Sequence, residues 1–127
     1  MGNLINDAAD FILENSTYKD KEKLKERIAG HLCYKTCYIM YDTSGAIVAV
    51  VLWNITDNDT VEVIDMVIRK DHRGKEGKGI IKKFLTMGRE IWPVKYMKYN
   101  RDYTLDGSSR WPEPKVFNVQ HLLRRLG

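Results

Sequence analysis

The stretch VEVIDMVIRKDHRGKEGKGIIKKFLTMGREIW, Val61–Trp92, changes its period partway along, and the rest of the chain is organised around that change. Val61 to Ile68 is apolar and β-branched, interrupted only by Glu62 and Asp65, which suits a buried strand. Lys70 to Lys78 is polar and carries Gly74 and Gly77. From Gly79 onward Ile80, Ile81, Phe84, Leu85, Gly88, Ile91 and Trp92 fall on one helical stripe, with Lys82, Lys83, Arg89 and Glu90 off it. Pro93 stops that helix, so strand, glycine-rich turn and helix follow one another.

Such a turn makes an anion site. The first N–H groups of a helix have no internal partner, and the helix dipole adds partial positive charge there. Gly74, Gly77 and Gly79 let a ligand approach the main chain, and Arg73, Lys75 and Lys78 add full charges. A phosphate or pyrophosphate fits such a place. The plainer alternative is a strand–helix connection in which the glycines only shape a turn.

The register of these residues resembles the acyl-CoA-binding motif of the GNAT N-acetyltransferase superfamily. That motif runs from a strand ending in Val, through about four polar residues, to Arg/Gln-x-x-Gly-x-Gly/Ala and a helix. Ile68 stands in the place of the Val, followed by Arg69-Lys70-Asp71-His72 and then Arg73-Gly74-Lys75. The family places its first motif glycine three residues after the Arg, whereas Gly77 comes four after Arg73, so Glu76 reads as a one-residue insertion. With the flanking strands the resemblance spans Tyr34 to Tyr99.

Outward from this stretch, Asn3 is placed to cap a first helix with Leu4, Ile5, Ala8, Phe11 and Ile12 on one face, broken at Asn15-Ser16-Thr17. Asp20 caps a second, in which Leu24, Ile28 and Leu32 repeat every four residues. Thr36–Tyr41 and Ala46–Ile55 read as an antiparallel hairpin about the turn residues Asp42-Thr43-Ser44-Gly45. Ala46–Trp53 is apolar throughout, as in a central strand covered on both faces. Lys95–Asn100 is expected to lie parallel to Val61–Ile68, because a helix connects them. Asp102–Pro114 reads as a loop, Val116–Val119 as a short strand and Gln120–Leu126 as a short basic helix. The fold class expected is α/β: a GNAT-like mixed sheet, mostly antiparallel, with a parallel splayed strand pair and flanking helices. The chain departs from the family by opening on a helix and by lacking its terminal helix with Asn and Tyr. The tail is similar to that of small GNAT-like proteins of bacteriophages.

At 127 residues the chain fits one domain, and 43% hydrophobic with 30% charged residues describes a globular protein rather than a disordered one. No apolar run nears the ~18 residues that span a membrane, and the N-terminus shows no secretory signal. Asn6 stands where a myristoylation motif prefers Ser or Thr. A net charge of +4 tolerates an anionic cosubstrate without requiring one. His31, Cys33 and Cys37 offer at most three close metal ligands where structural zinc wants four, so no metal is expected. The two cysteines read as free thiols in a reducing cytosol, which points to a cytoplasmic protein.

The resemblance implies acyl transfer from acetyl-CoA or a related acyl-CoA to an amine. In the family the fourth and fifth strands splay apart and the pantetheine arm enters between them. Carried over, the backbone of Met66, Val67 and Ile68 meets the pantetheine and thioester, and Arg73, Gly74, Lys75, Gly77, Lys78 and Gly79 hold the pyrophosphate. Family members of the histone type carry a glutamate base six residues before the equivalent Val, and Glu62 is six before Ile68. Strict alternation puts Glu62, Ile64, Met66 and Ile68 on one face and Val61, Val63, Asp65 and Val67 on the other. Glu62 is therefore preferred over Asp65 as general base. For each carboxylate the alternative is an ion pair with Lys or Arg. Tyr99 and Tyr103 are candidates to protonate the leaving thiolate, with core or hydrogen-bonding roles as the alternative. His72 and His121 read as surface or phosphate-contact residues. Trp53, Trp92 and Trp111 read as core or lid residues, because they are not interleaved with a basic run. The acceptor itself is not legible, since the family places acceptor sites on its most variable loops, and neither is the oligomeric state. A different class stays open: a non-catalytic GNAT-like protein binding a protein or nucleic acid, or an acyl-donor-dependent modifier of nucleic-acid bases. The basic tail Gln120–Gly127, the inserted Glu76 and the missing terminal helix with Tyr favour the non-catalytic alternative.

Overall fold

β2, Ile47–Thr56, runs between two layers of helices, and every residue from Val48 to Trp53 is buried, as its unbroken apolar run requires. The protein was analysed as a computed structural model describing residues 3–72, 75–91, 94–99 and 115–126. Within them the order is α1 (Leu4–Asn15), α2 (Lys21–Cys33), β1 (Cys37–Tyr41), β2, β3 (Thr60–Ile68), a 3-10 turn (Lys70–His72), α3 (Lys75–Ile91), β4 (Tyr96–Tyr99), β5 (Lys115–Asn118) and α4 (Val119–Leu126). The strands form one sheet in the order β1-β2-β3-β4-β5. Only β3 and β4 pair in parallel; the other neighbours are antiparallel. This is the mixed α/β architecture expected from the sequence.

The sheet separates two cores. On one side α1 and α2 lay Ala8, Ile12, Leu24 and Ile28 over Val50, Leu52 and Val67. On the other, Ile80, Phe84 and Leu85 of α3 and Val119 of α4 pack on Val51, Trp53, Val61, Val63 and Met97. Trp53 meets Phe84 edge-on, with ring centroids 5.1 Å apart, and is a core residue. The apolar stripe expected on α3 is therefore the face that meets the sheet.

Local chemistry sets most boundaries. Asp20 accepts a hydrogen bond from the Lys23 N–H at 3.2 Å and caps α2. Asn3, expected to do the same for α1, makes no side-chain cap: at φ −80°, ψ 70° its backbone lies outside the extended region usual for a cap. α1 ends where Ser16 donates its hydroxyl back to the Ile12 carbonyl at 2.6 Å. In the β1–β2 turn Asp42 Oδ1 accepts from the Ser44 N–H, the Ser44 hydroxyl and the Ala46 N–H, and Gly45 takes the left-handed φ of 87° that closes it. Those bonds, the Ser44 hydroxyl first, hold the Asp42 carboxyl at about 2. Asp57 and Asn58, both left-handed, reverse the chain between β2 and β3.

Three expectations need correction. α3 begins at Lys75, not Gly79, so Glu76, Gly77, Lys78 and Gly79 belong to its first turns rather than to a loop. α4 begins at Val119, whose side chain closes the core, so the preceding strand is Lys115–Asn118, shifted back by one residue. The strict alternation on β3 also fails. Leu52 pairs with Asp65 but Trp53 pairs with Val63, so Ile64 is an extra residue, a bulge. Val61 and Val63 face α3, whereas Asp65 and Val67 face α1 and α2. Glu62 and Asp65, separated by strict alternation, share the α1–α2 side of the sheet.

Candidate active site

The bulge coincides with the end of a strand pairing. β4 lies beside β3 only from Thr60↔Tyr96 to Val63↔Tyr99. Past Val63 the edge of β3 over 64–68 has no strand alongside it among the described residues. An open strand edge holds a row of main-chain donors and acceptors ready to pair with an extended ligand. Met66, Val67 and Ile68, expected to meet the pantetheine arm, stand along it: Met66 and Ile68 pack toward α3, and Val67 is buried toward α1 and α2.

At the end of this edge the chain turns through Lys70–His72 and enters α3. The turn is tied down from three directions. Asn15, buried at the end of α1, accepts from the Lys70 N–H at 3.1 Å. The Arg69 guanidinium donates to Asp71 at 2.7 Å and to Asp42 of the β1–β2 turn at 3.4 Å, and His72 Nδ1 donates to Asp71 at 2.7 Å. The hydrogen bond from His72, then that from Arg69, pulls the Asp71 carboxyl below its usual range. His72 is therefore part of the bracing of the turn. The start of α3 is thus fixed against β3, and a Cβ at Gly77 would stand 3.6 Å from the His72 carbonyl oxygen and 3.7 Å from Ile68 Cδ1, in ordinary contact. A Cβ at Gly79 would meet nothing, and the neighbouring Lys78 is exposed. Both glycines are helical, so they are not needed for a left-handed turn. The first N–H groups of α3 lie at the end of the open β3 edge, an arrangement able to receive a pyrophosphate. Lys75 opens the helix, and Lys82 and Lys83 are exposed farther along it. Arg73 and Gly74 lie outside the described residues.

The two carboxylates of β3 have different surroundings. The Asp65 side chain is 3% exposed; Oδ2 accepts from Arg27 Nη1 at 2.9 Å and Oδ1 accepts from the Tyr18 hydroxyl. Burial lowers the pKa of Arg27, and its hydrogen bonds to Asp65 and Tyr18 outweigh that, so the net shift is upward. This cluster ties the α1–α2 connection and α2 to β3. Glu62 lies two residues before the bulged Ile64 with its side chain 36% exposed, 3.9 Å from Lys98 Nζ on β4. Tyr99 lies beside Val63, where β4 leaves β3, with its ring turned to the α3 core, opposite Glu62. Tyr103, Trp92 and Trp111 lie outside the described residues, and His121 is exposed on α4.

Sequence reading missed Tyr18, Arg27 and Lys98 as partners of these carboxylates. Tyr18 and Arg27 are 47 and 38 positions from Asp65, and no local pattern joins them. Lys98 was findable: a parallel pairing of Val61–Ile68 with Lys95–Asn100 invites a search for opposite charges across it. Cys33 is exposed, and burial pushes the half-buried Cys37 thiol up to about 11. Among the described residues there is no cluster of three or more His, Cys, Asp or Glu, and no helix long and apolar enough to cross a membrane.

No protein-family model matches this chain, and no curated protein does. Solved structures do. The spermidine/spermine N-acetyltransferase SpeG of Vibrio cholerae, crystallised with manganese, matches with a TM-score of 0.62 over 98% of this chain and 93% of its own, at 12% identity. A chimera of that enzyme and hSSAT gives 0.63 over 91% and 92%, also at 12%. A protein provisionally named a phosphinothricin N-acetyltransferase gives 0.56 over 77% and 67%, at 19%. The fold of this chain is that of the GNAT N-acetyltransferases, and the likeness first read from the motif extends over most of its length.

Proposed function

We propose that this chain, with its GNAT fold, is an N-acyltransferase that moves an acetyl or related acyl group from acyl-CoA to an amine. The observation that carries the reading is the β3 edge beyond Val63, unpaired among the described residues, followed by the turn into the N-terminus of α3. One element offers main-chain hydrogen bonds to an extended amide-bearing arm, and the other offers N–H groups to a pyrophosphate. The neighbours support it, since SpeG is a spermidine/spermine N-acetyltransferase and the third is provisionally named an N-acetyltransferase.

In this reading the main chain of Met66–Ile68 holds the arm, and the first turn of α3 from Lys75 to Gly79 receives the phosphates. Bound there, acyl-CoA supplies an activated thioester. Positioning is then most of the catalysis. Glu62 takes the proton from the amine nitrogen, directly or through a water, as that nitrogen forms a C–N bond to the acyl carbon. A main-chain N–H beside the bulge stabilises the charge that gathers on the carbonyl oxygen. The C–S bond breaks and the sulfur leaves as thiolate, gaining a proton from solvent.

Acetyl-CoA at millimolar concentration is expected to raise the melting temperature, because a ligand that binds only the native state stabilises it by mass action. Gly79→Asp is expected to remove the shift. It places a carboxylate before the phosphate site, in open space and in the early helix, where an acidic side chain suits the dipole, so the fold is retained. Differential scanning fluorimetry of both proteins tests this. An unmutated protein indifferent to acetyl-CoA contradicts the reading and favours a non-catalytic binding role.

A further inference from the structure

α1 and α2 cover only part of their side of the sheet. They close over Val50, Leu52 and Val67, and the next residues along, toward the β2–β3 turn, are uncovered. There one row crosses four strands: Asn54 on β2 pairs with Glu62 on β3, Glu62 with Lys98 on β4, and Lys98 with Val116 on β5. Asn54 and Val116 are exposed, as are Ile64 at the bulge and Tyr96 on the same face of β4. The row thus reads amide, carboxylate, ammonium and apolar, and it crosses the sheet one residue before β3 and β4 part.

Glu62 and Lys98 approach to 3.9 Å, with side chains 36% and 43% exposed. That is longer than the ~2.7–2.9 Å of a charge-assisted hydrogen bond, so each head group keeps hydrogen-bonding capacity for a third party. Each of the two carboxylates on this side of β3 already faces a cation: Asp65 faces Arg27, and Glu62 faces Lys98. A chain of several ammonium groups would therefore meet no unopposed carboxylate on β3, and it would meet Lys98. A molecule with one amine and one anionic group a carbon or two away satisfies both head groups together, ammonium to Glu62 and anion to Lys98. Ile64, Tyr96 and Val116 then offer apolar surface to the remainder.

We propose that the acceptor is a small zwitterionic amine, an α-amino acid or a close analogue with another anionic group, and that Lys98 selects it by binding the anion. The proposal rests on the acyltransferase reading above and on Glu62 as its base. Lys98 is a specificity residue in it, exposed enough to be changed without disturbing either core.

The test uses the whole protein with acetyl-CoA and three classes of acceptor: a set of amino acids, the amines that remain when their carboxylates are removed, and spermidine. Thiol release and the acylated product are both measured. Amino acids are expected to exceed their decarboxylated counterparts in kcat/KM by about tenfold or more, the scale of one charge-assisted hydrogen bond. Lys98→Arg is expected to keep that ratio, and Lys98→Glu to abolish or invert it while acetyl-CoA binding, followed by calorimetry, is unchanged. Preference for spermidine, equal use of amines with and without a carboxylate, an unchanged ratio in Lys98→Glu, or no turnover with any of the three classes by a protein that binds acetyl-CoA overturns the zwitterion proposal alone. Failure to bind acetyl-CoA overturns both it and the reading beneath it.

Discussion

Glu62→Gln is expected to lower kcat by about 10²-fold or more, the scale of a lost general base, with little change in affinity for acetyl-CoA. Glu62 is half-exposed, beside the point where β4 leaves β3, and Lys98 is its one ion-pair partner among the described residues, at 3.9 Å. It is therefore reachable by an amine arriving over this side of the sheet. Glutamine keeps the shape and loses the proton acceptor, so a fall in kcat with acetyl-CoA affinity retained is the signature of a base rather than of a binding group. Asp65→Asn serves as the comparison. Both Asp65 oxygens are occupied by Tyr18 and Arg27 in a buried site, so its replacement is expected to change turnover much less than that of Glu62. Steady-state kinetics with an accepted amine, and calorimetry on the same variants, decide between them. If Asp65→Asn loses turnover and Glu62→Gln keeps it, the base is assigned to the wrong carboxylate. If neither changes it, the amine arrives deprotonated and positioning alone accounts for the rate.

Arg27→Met is expected to destabilise the fold by about 2 kcal/mol. Removing one member of a fully buried pair costs about 3–5 kcal/mol, because it strands the other charge away from water. Arg27 is 42% exposed, so solvent already screens the interaction and the lower figure applies. The loss falls on Asp65, which is 3% exposed and retains only the Tyr18 hydroxyl among the hydrogen bonds described for it. Asp65→Asn is expected to cost less, since it strands only the guanidinium, which has solvent beside it. In a protein of this size 2 kcal/mol lowers the melting temperature by roughly 8 °C. Urea unfolding of the two variants gives the comparison, and equal stability of Arg27→Met and the unmutated protein would mean that the pair does not hold α2 to β3.

The order of elements was legible because each carries a local signal. The apolar run of β2, the turn residues Asp42–Gly45 and the period change after Ile68 each need only a short window of sequence. What was not legible depends on register. One extra residue at Ile64 reverses the facing of half of β3, and the apolar residues of VEVIDMVI do not mark it, since each of them suits either face. The start of α3 was placed late for a related reason. Lys75-Glu76-Gly77-Lys78 has two glycine neighbours and no apolar residue, so its helicity comes from Gly77 packing against the end of β3 and the braced turn before it, not from propensity. At the candidate site the sequence identified both carboxylates but not their partners. Those come from α2, the α1–α2 connection and β4, and the fold alone assembles them.

Amide hydrogen exchange with and without acetyl-CoA tests the central claim most directly, because it reads the main-chain groups on which that claim depends. The account predicts slowed exchange at Met66–Ile68 on the edge of β3 and at Lys75–Gly77, whose N–H groups open α3, with the cores around Leu52 and Phe84 unchanged. Protection confined to other segments, or none at saturating acetyl-CoA, would contradict it.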